Sequence, residues 1–144
     1  DGFNLFIDHF PSSEKVAEAR TLIKELEEKI VEKSYVSARL YYDMQKYKAA
    51  ITALENGLKE HTNTKYREEM LFLKLNSLFK YAELSFESKQ RERYQDTLDE
   101  YYSFMEEYPK SSFSKQVNDI FEKTNTYLKS KSIATDKTQE ENKN

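Results

Sequence analysis

Two histidines are the residues of this chain best suited to acid-base or metal chemistry. His9 and His61 could each act as a general base or a metal ligand, but neither has a second histidine one helical turn away. Both instead lie in a motif that recurs at helix ends, where His61 takes the aromatic position and His9 directly precedes it. The chain also has no cysteine that could supply a thiolate. We therefore assign both histidines structural roles and expect neither a metal nor another cofactor.

Paired carboxylates are the second candidate for chemistry. Adjacent glutamates occur at Glu27/Glu28, Glu68/Glu69 and Glu106/Glu107. Because neighbouring residues of a helix point about 100° apart, such a pair cannot flank one bond as a general acid and base must. The 2 glycines of the chain are too few for a phosphate-binding loop. We predict that these glutamates lie on solvated faces and that the protein is not an enzyme.

A basic cluster is the third candidate, and it concerns binding. Lys89, Arg91 and Arg93 precede Tyr94 and could hold an anionic surface, although a solvated polar turn is the simpler interpretation. The net charge of −3 gives no electrostatic reason to expect a nucleic acid partner. The longest apolar runs, such as 70–73, are far shorter than the roughly 20 residues that span a bilayer. Without cysteines, both cytosol and periplasm remain open as locations.

A helix-ending motif recurs along the chain. The segment Phe6–Ser13 returns as Phe104–Ser111, and each copy carries an aromatic helix end, a proline and a serine. The proline cannot continue the helix, and the serine can begin the next one. A weaker copy at Leu58–Thr64 has His61 in the aromatic position. Three such junctions predict a stacked array of helical repeats.

Composition and periodicity define the helices. The chain has 2 Gly and 2 Pro, and 34% of its residues are charged, which favours long amphipathic helices. Apolar residues spaced by three and four then predict the following elements: a helix up to Phe10, a long helix from Ser13 to about Gln45, a helix Lys48–Glu60, a helix from Lys65 to about Ser88, a polar turn Ser88–Arg93, a helix Tyr94–Tyr108, and a last helix that starts at Ser111 or Ser112 and ends near Leu128.

These elements predict an all-α fold, a tetratricopeptide-like right-handed superhelix of antiparallel helix pairs with at least one overlong helix. We expect residues 1–128 to form this solenoid, as a fragment of a longer array that continues upstream. Residues 129–144 carry one sizeable apolar residue and are predicted to be a disordered tail. Gly57 lies inside a predicted helix, where glycine costs about 1 kcal/mol relative to alanine, so a close helix crossing is expected there.

The segment Ser37–Leu58 resembles a tetratricopeptide repeat. Small and large residues alternate in the order and spacing that let two helices interlock; they are Ala38, Tyr41, Tyr47, Ala50, Leu54 and Gly57. A second, looser copy pairs the leucines of residues 71–78 with the aromatic residues of 94–104. Repeats of this kind form extended surfaces that bind other proteins, which favours a binding function for this chain.

Three blocks of sequence resemble the BamD (YfiO) family of outer-membrane assembly lipoproteins. They are Tyr35–Tyr42 after the overlong helix, Thr64–Glu69, and Arg93–Tyr102 running into Tyr108 and Pro109. The resemblance implies a non-catalytic scaffold at the periplasmic face of the bacterial outer membrane that docks to the POTRA domains of BamA. It implies as partners BamA, other assembly lipoproteins and unfolded outer-membrane proteins. It places the lipidated cysteine, and with it any membrane contact, outside this chain.

Two helix faces are the predicted docking surface. Tyr and Arg are favoured interface residues, and first helices of such repeats line a groove. The candidate site residues are Tyr35, Arg39, Tyr42 and Asp43 on one helix and Phe72, Asn76, Phe79 and Lys80 on the next. Aromatic residues would give affinity, and Arg39 or Lys80 would set the register. An alternative function is a different tetratricopeptide adaptor that captures a peptide terminus and has no connection to barrel assembly.

Overall fold

The computed structural model describes residues 14–143. Within them the chain forms five α-helices and no strand, which confirms the all-α fold; the helices are α1 (Glu14–Asp43), α2 (Tyr47–Glu60), α3 (Arg67–Glu83), α4 (Glu87–Glu107) and α5 (Ser114–Glu141). The helix predicted up to Phe10, together with His9, lies outside the described residues. The overlong helix is confirmed, since α1 runs for 30 residues without interruption.

Each helix folds back antiparallel on the one before it. Tyr42 near the end of α1 meets Tyr47 at the start of α2, with ring centroids 5.6 Å apart. The start of α3 faces the end of α4, because Arg67 Nη2 donates a hydrogen bond to Glu107 Oε2 over 3.1 Å. Tyr94 of α4 stacks on Tyr127 of α5, with centroids 4.2 Å apart. The described chain is therefore two helix pairs and a fifth helix that covers the second pair.

The first helices of successive pairs also contact each other. Packing joins α1 to α3 and α3 to α5, in addition to every consecutive pair. This arrangement is the one expected of tetratricopeptide-like arrays, in which repeats pack only on their neighbours. It places α1, α3 and the start of α5 side by side.

Gly57 lies where three helices cross. A Cβ built at this position in α2 would lie 2.7 Å from Met70 Cε of α3 and 2.9 Å from Ser34 Oγ of α1. Both distances are shorter than van der Waals contact. The prediction of a close helix crossing at Gly57 is confirmed, and it explains why a helix-weakening residue stands in the last turn of α2.

One continuous core extends from α1 to α5. The largest side chains below 2% exposure include Leu54 of α2, Met70 and Leu75 of α3, Phe104 of α4 and Val117 of α5. Burying each such side chain stabilises the fold by about 1.5–3 kcal/mol relative to exposure. The packing of neighbours supplies the stability that no single helix has alone.

The turn between α3 and α4 differs from the prediction. We predicted a helix to about Ser88 and a polar turn over Ser88–Arg93, whereas α3 ends at Glu83 and α4 already begins at Glu87. The polar stretch is helical because Lys, Gln, Arg and Glu are all good helix formers. Its Gln90 also donates from Nε2 to the carbonyl oxygens of Ala82 and Glu83, at 3.3 and 3.1 Å, and so caps the end of α3. The second helix of this pair, with 21 residues, is therefore longer than the first, with 17.

The last helix also has other bounds than predicted. It begins at Ser114 and not at Ser111 or Ser112, because the Ser111 hydroxyl instead accepts a hydrogen bond from the backbone N–H of Phe113 over 3.1 Å. The structure continues α5 to Glu141, through the segment predicted to be a disordered tail from residue 129. No residue of 129–143 is buried, and only Lys131 is partly covered. The division of the chain after residue 128 therefore stays a prediction.

Candidate partner-binding groove

A hollow of about 350 Å³ lies along α3, between α1 on one side and Phe113, which directly precedes α5, on the other. Five of the eight residues predicted for the docking surface line it, namely Tyr35, Arg39, Tyr42, Phe72 and Asn76. Residues four and seven apart on α1, and four apart on α3, point to one side of their helices, and the contact between α1 and α3 brings these two sides together. We call this hollow the groove.

The groove is fixed across its α1–α3 wall by a hydrogen bond and a ring stack. Asn76 Nδ2 of α3 donates to Tyr42 Oη of α1 over 2.7 Å. Tyr35 of α1 stacks on Tyr66, which precedes α3, with ring centroids 5.0 Å apart and planes 9° from parallel. Burial raises the pKa of Tyr42 above its usual value, and the nearby Tyr47 and Asp43 raise it further. The hydrogen bond and the ring stack thus orient both tyrosines at the wall of the groove.

Arg39 places one positive charge at the groove. Its Nη1 donates to Tyr35 Oη over 3.2 Å, and this hydrogen bond raises the pKa of Arg39, with Asp43 and Glu69 adding to the effect. Burial, and then the carboxylate of Glu69, raises the pKa of Tyr35. Arg39 remains exposed. A guanidinium in this setting can pair with a carboxylate on a docked partner.

The other end of the groove is aromatic. Phe72 of α3 stacks on Phe113 at the start of α5, with centroids 4.4 Å apart and planes 2° from parallel. Both rings are partly exposed. Offset ring pairs of this kind contribute about 0.5–1.5 kcal/mol beyond the area they bury. The groove thus joins an apolar aromatic surface at α5 to a polar wall at α1.

Three further residues of the groove were missed from the sequence. Glu69 and Leu73 line it beside Phe72 and Asn76, and their spacing on α3 could have identified them. Phe113 could not be found in this way, since the last helix was predicted to start before it. Its ring enters the groove only because the α4–α5 turn extends to Phe113.

The remaining three predicted site residues lie elsewhere. Phe79 is 4% exposed and packs against Tyr94 of α4, with centroids 6.1 Å apart, so its predicted place on the groove surface is corrected: it belongs to the core. Lys80 is partly covered; it lies over the ring of Phe79 and pairs with Glu83 at 3.5 Å. Asp43 is exposed at the end of α1. Neither Lys80 nor Asp43 lines the hollow.

Of the groups considered for chemistry, His61 and the Glu27/Glu28 pair line one hollow between α1 and the α2–α3 turn, and Glu68 and Glu69 lie elsewhere, on α3. His61 Nε2 lies 3.9 Å from Glu60 Oε2, and within residues 14–143 no group of three His, Cys, Asp or Glu residues could hold a metal ion. Glu68 Oε1 accepts a hydrogen bond from Ser111 Oγ over 2.5 Å, whereas its neighbour Glu69 faces the groove. The groove itself offers ring faces, one guanidinium, one amide and one carboxylate. Such groups can form ring contacts, ion pairs and hydrogen bonds.

A family model described as YfiO, outer membrane lipoprotein, matches residues 1–95 of the 144 in this chain. The chain belongs to the YfiO family. The resemblance to BamD (YfiO) predicted from the sequence is thereby confirmed. The YfiO match covers α1, α2, α3 and the first residues of α4, and it includes every groove residue except Phe113. No curated protein matches the chain significantly.

The length and polarity of the helices decide whether any of them could cross a membrane. Among residues 14–143, every helix is too polar or too short to cross a bilayer.

Proposed function

We propose that this chain is a non-catalytic scaffold subunit of the outer-membrane β-barrel assembly machinery, and that its groove docks onto the periplasmic POTRA domains of BamA. Membership of the YfiO family supports the assembly role. The observation that carries the docking site is the convergence of five predicted residues from two helices on one hollow. The site of action in this proposal is the periplasmic face of the outer membrane.

The proposed mechanism is preorganisation. Binding costs free energy for every side chain that must be ordered, about 0.5–1.5 kcal/mol for each flexible one. The groove rings are already held by the Tyr35–Tyr66 and Phe72–Phe113 stacks and by the hydrogen bond from Asn76. A partner segment that enters the groove therefore meets an ordered surface. Tyr and Arg at such a surface are the residue types that dominate binding energy in interfaces.

Charge in the groove would set the register of the partner. Arg39 of α1 is the exposed cation that lines the groove. Glu69 of α3, on the opposite wall, is the carboxylate that lines it. A partner with one carboxylate and one cation at matching separation satisfies both. Lys80, predicted to share this role, is already paired with Glu83 outside the hollow. We therefore propose Arg39 as the principal register residue.

The test is a binding measurement between this chain and the purified periplasmic domains of BamA. Isothermal titration should detect a complex, and Arg39→Glu should weaken it by about tenfold, which corresponds to about 1.4 kcal/mol. Arg20→Glu is the matched control, because Arg20 is an exposed arginine of the same helix that does not line the groove. Circular dichroism should show equal helix content in all three proteins.

Two results would separate the parts of this proposal. Binding that resists Arg39→Glu and also Phe72→Ser would reject the groove while keeping the assembly role. No binding of the unaltered chain to BamA would reject the docking itself and favour the alternative, a tetratricopeptide adaptor for another protein.

A further inference from the structure

A second hollow, of about 660 Å³, lies at the end of the array where the α1–α2 turn and the α3–α4 turn stand side by side. Its walls are the start of α2, from Gln45 to Thr52, and the end of α3 with the turn up to Phe86. Arg93 of α4 closes one side. We call this hollow the end cleft. It shares no residue with the groove.

The charged residues that line the end cleft are all cations. They are Lys46, Lys48 and Arg93, and no carboxylate lines it. None of the three makes an ion pair within 4.0 Å among residues 14–143. The chain as a whole carries a net charge of −3, so this local excess of positive charge runs against the composition. Asp96 of α4 lowers the local charge only at Arg93, through a coulombic interaction longer than an ion pair. Three cations without an ion-pair partner around one concavity attract an anionic ligand.

Two large apolar side chains stand exposed at the same place. Phe86 is 86% exposed and Leu84 is 67% exposed, and both line the end cleft in the short turn between α3 and α4. Covering a side chain of this size is favourable by about 1.5–3 kcal/mol. Exposed apolar residues next to polar ones mark interaction sites. The end cleft is therefore suited to a ligand that carries an apolar group beside a negatively charged group.

The walls of the end cleft are held in place by their own contacts. The guanidinium of Arg93 lies 4.1 Å from the ring centroid of Tyr81, and its Nη1 donates to Ser85 Oγ over 2.6 Å. On the opposite wall Gln45 has a φ of 60°, a left-handed backbone conformation that a non-glycine residue adopts at some cost. The contacts of Arg93 hold its guanidinium at the wall of the cleft without a ligand.

We propose that the end cleft binds an acidic, extended peptide segment of a partner protein, with an apolar side chain seated against Leu84 and Phe86 and carboxylates paired with the three cations. The combination favours a peptide over an anionic lipid surface, because the cations surround a concavity and do not project from a flat face. This site is separate from the groove, and it does not depend on the docking to BamA.

The probe is a short fluorescent peptide with a central Leu-Phe pair flanked by glutamates. Two matched peptides replace the glutamates with glutamines or with lysines. In fluorescence anisotropy, the glutamate peptide should bind at least about tenfold more tightly than either control, and its affinity should fall as salt rises. Backbone NMR shifts should change at residues 45–48, 84–86 and 93.

Variants of the full chain assign the contacts. Lys46→Glu with Lys48→Glu should weaken binding of the glutamate peptide by at least about tenfold, and Phe86→Ser by a similar factor. Both sites are on the surface, so helix content should stay unchanged. Lys29→Glu with Lys33→Glu is the charge-matched control on exposed residues of α1, and it should leave binding unchanged.

Three outcomes would overturn the proposal. Equal affinity for the glutamate and glutamine peptides would remove the charge preference. An equal loss in the Lys29/Lys33 control would show a general effect of net charge. Binding of the chain to anionic phospholipid vesicles that is lost with the cleft variants, together with no binding of the glutamate peptide, would replace the peptide by a membrane surface. A groove variant such as Arg39→Glu should leave peptide binding intact.

Discussion

The hydrogen bond between Asn76 and Tyr42 offers a sharp test of how the groove is held together. Tyr42→Phe removes the hydroxyl that accepts from Asn76 Nδ2 over 2.7 Å and leaves that partly buried amide without this acceptor. A neutral hydrogen bond of this kind contributes about 1 kcal/mol to stability. For a chain of this length, that loss lowers the melting temperature by about 3 °C.

The neighbouring tyrosine supplies the control. Tyr41 is 41% exposed, and its hydroxyl makes no side-chain hydrogen bond within residues 14–143, so Tyr41→Phe is the same chemical change without the bond. Urea unfolding followed by circular dichroism should give a lower midpoint for Tyr42→Phe alone, with an unchanged slope. A double-mutant cycle with Asn76→Ala should give a coupling of about 0.5–1.5 kcal/mol.

One outcome would refute a role for the hydrogen bond between Asn76 and Tyr42 in joining the two helices. If Tyr42→Phe and Tyr41→Phe have the same midpoint and the coupling to Asn76→Ala is zero, then the hydrogen bond does not join α1 to α3. The groove would then be held by ring packing alone, and the preorganisation invoked for partner docking would rest on the two aromatic stacks.

Three further predictions address the pairing of helices and the end of the chain. The hydrogen bond from Arg67 holds the pKa of Glu107 below its usual value. The exposed pair that these two residues form should stabilise the fold by about 0.5 kcal/mol. That stabilisation is present above the pKa of glutamate in the unfolded chain, near 4.3, and is lost as pH falls. The stability difference between wild type and Glu107→Gln should therefore be present at pH 7 and shrink as pH falls below about 4.3. Gly57→Leu should lower stability by more than about 3 kcal/mol, since its side chain would overlap Met70; thermal melts measure this. Removal of residues 130–144 should change the free energy of unfolding, measured in urea, by less than about 0.5 kcal/mol, and limited proteolysis should cut beyond Leu128 first.

Helical periodicity predicted the groove because it identifies which residues share a face. Tyr35, Arg39 and Tyr42 follow one another at four and three residues, and Phe72 and Asn76 at four, and the structure brings both sets together. Phe79 continues the same spacing but is buried, because α4 packs over that part of α3 and places Tyr94 against it. Periodicity gives the face of a helix. Only the packing of the next helix decides where the open part of that face ends.

The turn between α3 and α4 was mispredicted for a physical reason. The prediction places the turn in the polar segment Ser88–Arg93. Charged residues with unbranched side chains favour helices, however. The turn of the structure instead contains Leu84 and Phe86, both apolar and exposed. No glycine or proline marks the break. Positions where a sequence breaks the usual hydrophobic pattern tend to be functional sites. Leu84 and Phe86, which the prediction places inside a helix, are the residues that give the end cleft its apolar surface.

The distribution of exposed apolar residues follows from the one-dimensional nature of the array. Contacts join each helix to the next, and α1 to α3 and α3 to α5, but α1 and α5 do not meet. The central helix α3 therefore buries its leucines, with Leu71, Leu73 and Leu75 at 9% exposure or less, whereas the outer face of α1 leaves large apolar residues 42–58% exposed; these are Leu22, Leu26, Ile30, Val36 and Leu40. Because stability in such arrays is a sum over neighbouring interfaces, the groove, which lies on the α1–α3–α5 seam, is supported from both sides of α3. A partner that docks there meets a surface whose central helix is packed on both sides, and loss of the exposed end of α5 should leave that surface unchanged.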